Sequence, residues 1–92
     1  MLFEWDEKKA ARNAAKHGVP FPYTVRVFLD PHRLDAEDTR RQYGEPRRFT
    51  LGKIEGRLYA VAYTMREAAI RIISARKAND RERRQYDETV ST

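Results

Sequence analysis

Hydrophobic and polar positions change their period several times along this 92-residue chain, and each change marks an element. Phe3 and Trp5 alternate with polar neighbours, as in a short edge strand. A helix is predicted over residues 7–17, with Asp6 placed to cap its start and Gly18 followed by Pro20 to stop it. At about 100° per residue, Ala10, Ala11, Ala14 and Ala15 collect on one side of that helix, and Lys8, Lys9, Arg12 and Lys16 on the other. The alanine side permits close packing on a sheet. Phe21, Val25, Phe28 and Leu29 keep helical spacing over 21–29, until Asp30-Pro31 ends the run.

The second half of the chain switches to strand patterns. Residues 32–46 are polar, with a weak strand at 34–38. A strand over 48–54 is followed by the tight-turn pair Glu55-Gly56 and a returning strand over 57–63. The stretch 69–75, with Ile70, Ile72 and Ile73, is the most apolar strand. Asn79 and Glu82 form a capping-box-like pair at the start of a last helix over 80–88. Tyr86 is the only large apolar residue of that helix, so burial alone holds it weakly. Residues 89–92 are expected to be a disordered tail. The sum is one α+β domain over 1–88: two N-terminal helices packed on one face of a three- to four-stranded antiparallel sheet, plus a C-terminal helix. The other face of the sheet is left open.

Charge adds a partner to this picture. Apolar residues make up 40% of the chain and charged ones 36%, above the usual globular share. The 19 Lys and Arg exceed the 14 Asp and Glu, giving +5, and Arg, whose planar fork suits phosphate, outnumbers Lys. A polyanion is the natural ligand, with nucleic acid ahead of membrane. The absence of Cys excludes disulfides, thiolate catalysis and zinc–thiolate sites. The start of the chain does not read as a signal peptide, and no apolar run approaches the roughly 20 residues of a spanning helix, so a cytoplasmic protein is expected. There is no HExxH, P-loop, dinucleotide fingerprint or GxSxG elbow. What remains in quantity is Arg, Lys, Tyr, Glu and His, the groups of RNA cleavage without a metal or any other cofactor. A base takes the ribose 2′-OH proton, the oxygen attacks phosphorus, cations stabilise the added charge, and an acid protonates the departing 5′ oxygen. Composition permits this chemistry without singling it out.

A resemblance singles it out. Phe3-Glu4-Trp5-Asp6, Lys8 or Lys9, Asn13-Ala14-Ala15-Lys16-His17-Gly18-Val19 and Phe21 resemble the opening FxWDxxKxxxNxxKHGVxF of the BrnT toxins. Phe28-Leu29-Asp30-Pro31, Asp38-Thr39-Arg40 and Tyr43-Gly44-Glu45 with Arg47 are similar to the middle of that family. Tyr63-Thr64 with Arg66, the run from Ile70 to Ala78, and Glu82-Arg83 with Tyr86 are similar to its YTxR, IRIISARKA and ERxxY segments. The likeness spans roughly residues 3–87 in order. It implies a RelE-like fold, endoribonuclease activity that stops translation, and neutralisation by a BrnA-like antitoxin with a ribbon-helix-helix domain. Operator DNA would then be reached only through the antitoxin. Two departures stand out: Pro46 replaces a residue usually charged, and Glu67-Ala68-Ala69 replaces a more turn-like segment beside Arg66.

Against this background each candidate has two readings. His17 ends the first helix, where an imidazolium suits the helix dipole, or it acts on RNA as a catalytic group. Lys16, inside the matched KHG, is the RNA candidate on a stripe where Lys8 reads as solvated. Arg66 and Arg76 close adjacent strands and are expected to converge as a phosphate clamp. Glu45 is the carboxylate expected to serve as base, or else to pair with Arg71, whose mid-strand place calls for a structural ion pair. Tyr63 and Tyr86 are candidates to stack on bases, with Tyr63 alternatively in the core. Arg40 and Arg47, with Arg41 and Arg48, supply general attraction to RNA. Arg81, Arg83 and Arg84 are expected to meet an acidic, amphipathic antitoxin segment that covers the open sheet face. The rival reading is a non-catalytic nucleic-acid-binding subunit, or a corepressor of a toxin–antitoxin operon.

Overall fold

The computed structural model describes residues 1–91. Its elements are β1 (Leu2–Glu4), α1 (Glu7–His17), α2 (Phe21–Thr24) running into a 3-10 helix (Val25–Leu29), β2 (Leu34–Glu37), β3 (Arg48–Ile54), β4 (Arg57–Arg66), β5 (Ala69–Lys77) and α3 (Asp80–Ser91). Helix α1 starts and stops where its caps lie. The Asp6 carboxylate accepts the Lys9 N–H at 3.0 Å. Gly18, at a left-handed φ of 69°, donates its N–H to the Ala14 carbonyl at 2.8 Å.

The sheet has five strands in the order β1-β5-β4-β3-β2. The expected three- to four-stranded antiparallel sheet is corrected in one respect: β1 joins the edge of β5 in parallel, with Leu2 opposite Ala69 and Glu4 opposite Arg71. Alternation marks a strand but does not name a partner at the far end of the chain. Strands β4 and β5 also run past their expected ends, so Arg66 and Arg76 both lie within the β4–β5 ladder. The turn between them places Glu67 at φ 50°, a left-handed conformation unusual for a residue with a side chain.

One face of the sheet carries the main core. Val27, Phe21 and Val19 pack there on Ile54, Tyr59, Val61, Tyr63, Ile70 and Ile72. The 3-10 helix sits close on β3: a Cβ on Gly52 would lie 2.8 Å from the Val27 carbonyl oxygen, a contact only glycine allows. The expected alanine face of α1 is partly corrected. Asn13 is the buried residue, Ala10 and Ala14 are half-buried, and Ala11 and Ala15 face solvent. Asn13 turns inward because its amide serves backbone that would otherwise be orphaned. It donates to the carbonyls of Ala75 (2.8 Å) and Val19 (3.2 Å) and accepts the Ala75 N–H (3.1 Å), sealing β5 where β1 has ended.

The opposite face is half covered, where an open face was expected. Helix α3 lays Tyr86 onto Leu51, Leu58, Ala60 and Ala78. Polar tethers make up for its lack of apolar residues. The Tyr86 hydroxyl donates to Asp30 at 2.5 Å, and the Lys53 ammonium lies 5.2 Å from the centre of its ring. Asp30 also accepts the backbone N–H groups of His32 and Lys53, each at 2.9 Å. Burial pushes the Tyr86 hydroxyl pKa up, as does its bond to Asp30. The helix continues through Thr89 and Val90 to Ser91, beyond the expected end near residue 88, and Thr92 of the expected tail lies outside the described residues.

Candidate nucleic-acid interface

The part of this second face that α3 leaves free carries Arg40, Glu45, Arg47, Arg66 and Arg76 of the expected site. Ala62, Thr64 and Arg66 of β4, Ser74 and Arg76 of β5, and Ala36 and Phe49 of β2 and β3 all alternate onto it, opposite the main core. Two clefts meet there, of about 390 and 280 Å³, sharing Ala36, Phe49 and Glu82 as walls.

Phe49 is the centre of the first group. Its half-buried ring lies 5.7 Å from the Arg40 guanidinium and 5.8 Å from that of Arg76. Each arginine is held by its own carboxylate. Arg40 donates from Nε and Nη2 to Asp38, both at 2.9 Å. Arg76 donates from Nη1 and Nη2 to Glu82 at 2.8 and 2.9 Å. The Arg40 side chain holds the Asp38 carboxyl well below its ordinary value, at about 2. Burial raises the Glu82 pKa, but the bonds from Arg76 and the Asn79 N–H outweigh it and leave that carboxyl lowered.

The second group sits at the other end of β4. Arg66 donates to Glu45 through a single contact of 3.2 Å. The segment carrying Glu45 is fixed by the Thr64 hydroxyl, which donates to the Pro46 carbonyl at 2.5 Å. Arg47 stacks on Tyr43 at 4.0 Å, and its buried Nε has no hydrogen-bond partner among the described residues. Tyr43 joins the two groups, because its hydroxyl donates to Asp38 at 3.3 Å while the Asp38 N–H donates to the Arg47 carbonyl at 2.7 Å. A strip therefore runs by contact through Arg76, Phe49, Arg40, Asp38, Tyr43 and Arg47, and by the backbone at Pro46 on to the pair Glu45 and Arg66.

The expected clamp of Arg66 and Arg76 does not form. Arg66 stands opposite Ala69 and Arg76 opposite Ala60, so they lie about 20 Å apart along β4. Both are on the strip, but at its two ends. Arg71 makes the structural ion pair foreseen for it, with Glu4 at 3.6 Å in place of Glu45. His17 is half-buried at the C-terminus of α1, on the helix-covered side of the sheet and away from the strip. Lys16 is exposed on the same helix.

Neither tyrosine offers a ring to a base. Tyr63 is 4% exposed, packs edge-on against Phe28 at 5.0 Å, and donates to Asp35. Asp35 also accepts from Arg33 at 2.7 Å and Arg48 at 2.6 Å, so this end of the core is a closed polar network. Tyr86 is 3% exposed beneath α3. On α3 itself, Arg81 and Arg84 are exposed, while Arg83 bonds the Ala78 carbonyl at 3.0 Å and pairs with Asp80.

Phe49, Glu82 and the Tyr43 hydroxyl are groups of the site that the sequence did not single out. Phe49 stands in the 48–54 strand two residues before Leu51, close in sequence to Arg40, Arg47 and Arg48, so an aromatic among arginines was the available signal. Glu82 stood out only as a cap. Among the described residues no three His, Asp or Glu side chains gather to hold a metal ion, and no helix is long and apolar enough to cross a membrane. The chain matches the model of the ribonuclease toxin family BrnT, of type II toxin–antitoxin systems, over residues 5–82. No curated protein matches it.

Proposed function

The chain belongs to the BrnT family of type II toxin–antitoxin ribonuclease toxins, and from that premise we propose that it cleaves RNA along the strip from Arg76 to Arg66 without a metal ion. The observation that carries this reading is the strip itself: a half-buried aromatic ring between two fixed guanidiniums, continuous with an exposed arginine–glutamate pair. Arg40, Phe49 and Arg76 hold the strand by stacking and charge. Arg66 and Arg47 take the scissile phosphate, Arg47 through the terminal nitrogens of its guanidinium. Glu45, released from Arg66 by the arriving phosphate, removes the 2′-OH proton, and the freed oxygen attacks phosphorus. The P–O5′ bond breaks, and the Tyr43 hydroxyl supplies the proton to the leaving oxygen. The products are a 2′,3′-cyclic phosphate and a 5′-hydroxyl.

The same reading makes the protein a RelE-like, cytoplasmic inhibitor of translation, neutralised by a ribbon-helix-helix antitoxin that carries the complex to operator DNA. The exposed Arg81 and Arg84 on α3, beside the clefts, favour an acidic antitoxin segment that closes the strip to RNA. Incubation with RNA in excess EDTA tests the chemistry. Fragments ending in 2′,3′-cyclic or 3′-phosphate are expected, and loss of cleavage reversed by added metal contradicts it. RNA retained but never cut leaves the chain a nucleic-acid-binding subunit.

A further inference from the structure

A second cationic site lies at the end of the β4–β5 ladder, off the strip. Gly56, Arg57, Leu58, Lys77 and Arg83 line a cavity of about 410 Å³. Three of these five residues are cations. Glu55, the carboxylate closest to Arg57 in sequence, is turned away and pairs with Arg26 at 2.8 Å. Among the described residues, neither the Arg57 guanidinium nor the Lys77 ammonium has a hydrogen-bond or ion-pair partner. Arg83 is fixed by the Ala78 carbonyl at 3.0 Å, and among the described residues Asp80 is the one carboxylate paired with any of the three cations. The walls are held by the Ala78 N–H, which donates to the Leu58 carbonyl at 3.0 Å. Two unpaired cations at a fixed strand end form a ready seat for one oxyanion.

We propose that this cavity binds a backbone phosphate of single-stranded RNA, as an extension of the strand held by Arg76. The proposal rests on the reading of the strip as an RNA site. Its support is the register: Arg76 stands opposite Ala60 and Lys77 opposite Tyr59, so these consecutive residues point to opposite faces at the same sheet end. A strand gripped at Arg76 reaches Lys77 by turning around that end. The contact positions the strand and reads no sequence.

The test is binding of a fluorescent single-stranded RNA, long enough to reach both places, by the full chain across a salt series. For the Arg57→Gln/Lys77→Gln double variant the log–log salt slope should become shallower by about 0.7, the loss of one phosphate contact on a single strand. Affinity at low salt should fall by a similar factor for every RNA sequence tried. The exchange Arg57→Lys/Lys77→Arg keeps the charge and should restore the slope. Unchanged thermal melting confirms that folded proteins are being compared, as both side chains are exposed. If the wild-type chain binds RNA with steep salt dependence and the double variant matches it, the cavity is no phosphate site although the strip still is. If the wild type shows no salt-dependent RNA binding, the strip reading fails and the subsite with it. A double variant that loses an acidic antitoxin peptide while binding RNA normally overturns the proposal in favour of a protein contact.

Discussion

Two arginine–glutamate pairs stand on the same face of the sheet, built from the same residue types to different specifications. In the pair Arg76–Glu82, two guanidinium nitrogens meet two carboxylate oxygens at 2.8 and 2.9 Å, with side chains 33% and 13% exposed. In Arg66–Glu45, one contact of 3.2 Å joins side chains that are 50% and 32% exposed. Glu82 also accepts the Asn79 N–H at 2.9 Å, while its own N–H donates to the Asn79 side chain at 2.8 Å, so the pair is tied into the start of α3. The first arrangement fixes a guanidinium in place. The second is a solvated pair of the kind that adds about 0–1 kcal/mol, and a phosphate can replace its carboxylate at small cost. A locked pair holds the strand, and a loose pair is free to react.

That contrast breaks most visibly in kinetics. Arg66→Ala should lower single-turnover cleavage by about 10²–10³-fold, the usual loss when one donor to a developing oxyanion is removed. Its melting temperature should stay close to the wild-type value. Equal stability loss and cleavage loss would mean that Arg66 is structural.

The next effect falls on stability. Glu82→Ala strips Arg76 of its partner and removes half of the capping box, which should cost about 1–3 kcal/mol. For a domain of this size that lowers the melting temperature by roughly 5–15 °C. Melting at the wild-type temperature would show that the locked pair contributes nothing.

Acid sharpens the same distinction. The folded-state pKa of Glu82 lies below its ordinary 4.5, so its contribution is full above that value and is lost as pH falls through the lowered one. Asp38 follows at lower pH, losing its contribution between 3.8 and about 2. Stability should therefore decline progressively below about pH 4.5, and Glu82→Gln should flatten the upper part of that decline in pH-dependent melting. A variant whose profile parallels the wild type would count against the pairing. The smallest effect belongs to Tyr86→Phe, which deletes the bond to Asp30 and should cost about 1 kcal/mol. Hydrogen exchange should then rise in α3 while the main core stays protected.

Local signals were legible and long-range ones were not. Asp6, Gly18 and the Glu55-Gly56 turn fix their elements by chemistry within a few residues, and α1 and β3 lie where those signals put them. The parallel seat of β1 on β5 and the docking of α3 depend on contacts between residues far apart in sequence, Leu2 with Ala69 and Tyr86 with Asp30, which no periodicity encodes. The same limit applies to the site. Glu45 and Arg66 were identified as functional candidates and do meet, because the 43–47 segment runs beside the end of β4. Arg66 and Arg76 were expected together because both close a strand; antiparallel register puts such residues at opposite ends of the ladder. Tyr63 and Tyr86 are both candidates to stack on bases in sequence, with Tyr63 alternatively in the core, and packing shows each one buried with its hydroxyl turned to an aspartate.

Glu45 reacts where Glu82 only holds. The direct measurement is single-turnover cleavage of single-stranded RNA, at saturating protein and in excess EDTA, by Glu45→Gln and Glu82→Gln side by side. Loss of a general base predicts at least about a 10²-fold slower rate for Glu45→Gln, with RNA affinity and melting temperature retained. Glu82→Gln should melt lower yet cleave near the wild-type rate once saturated. Wild-type cleavage by Glu45→Gln, or a larger rate loss in Glu82→Gln, would contradict the assignment and move the chemistry to the other end of the strip.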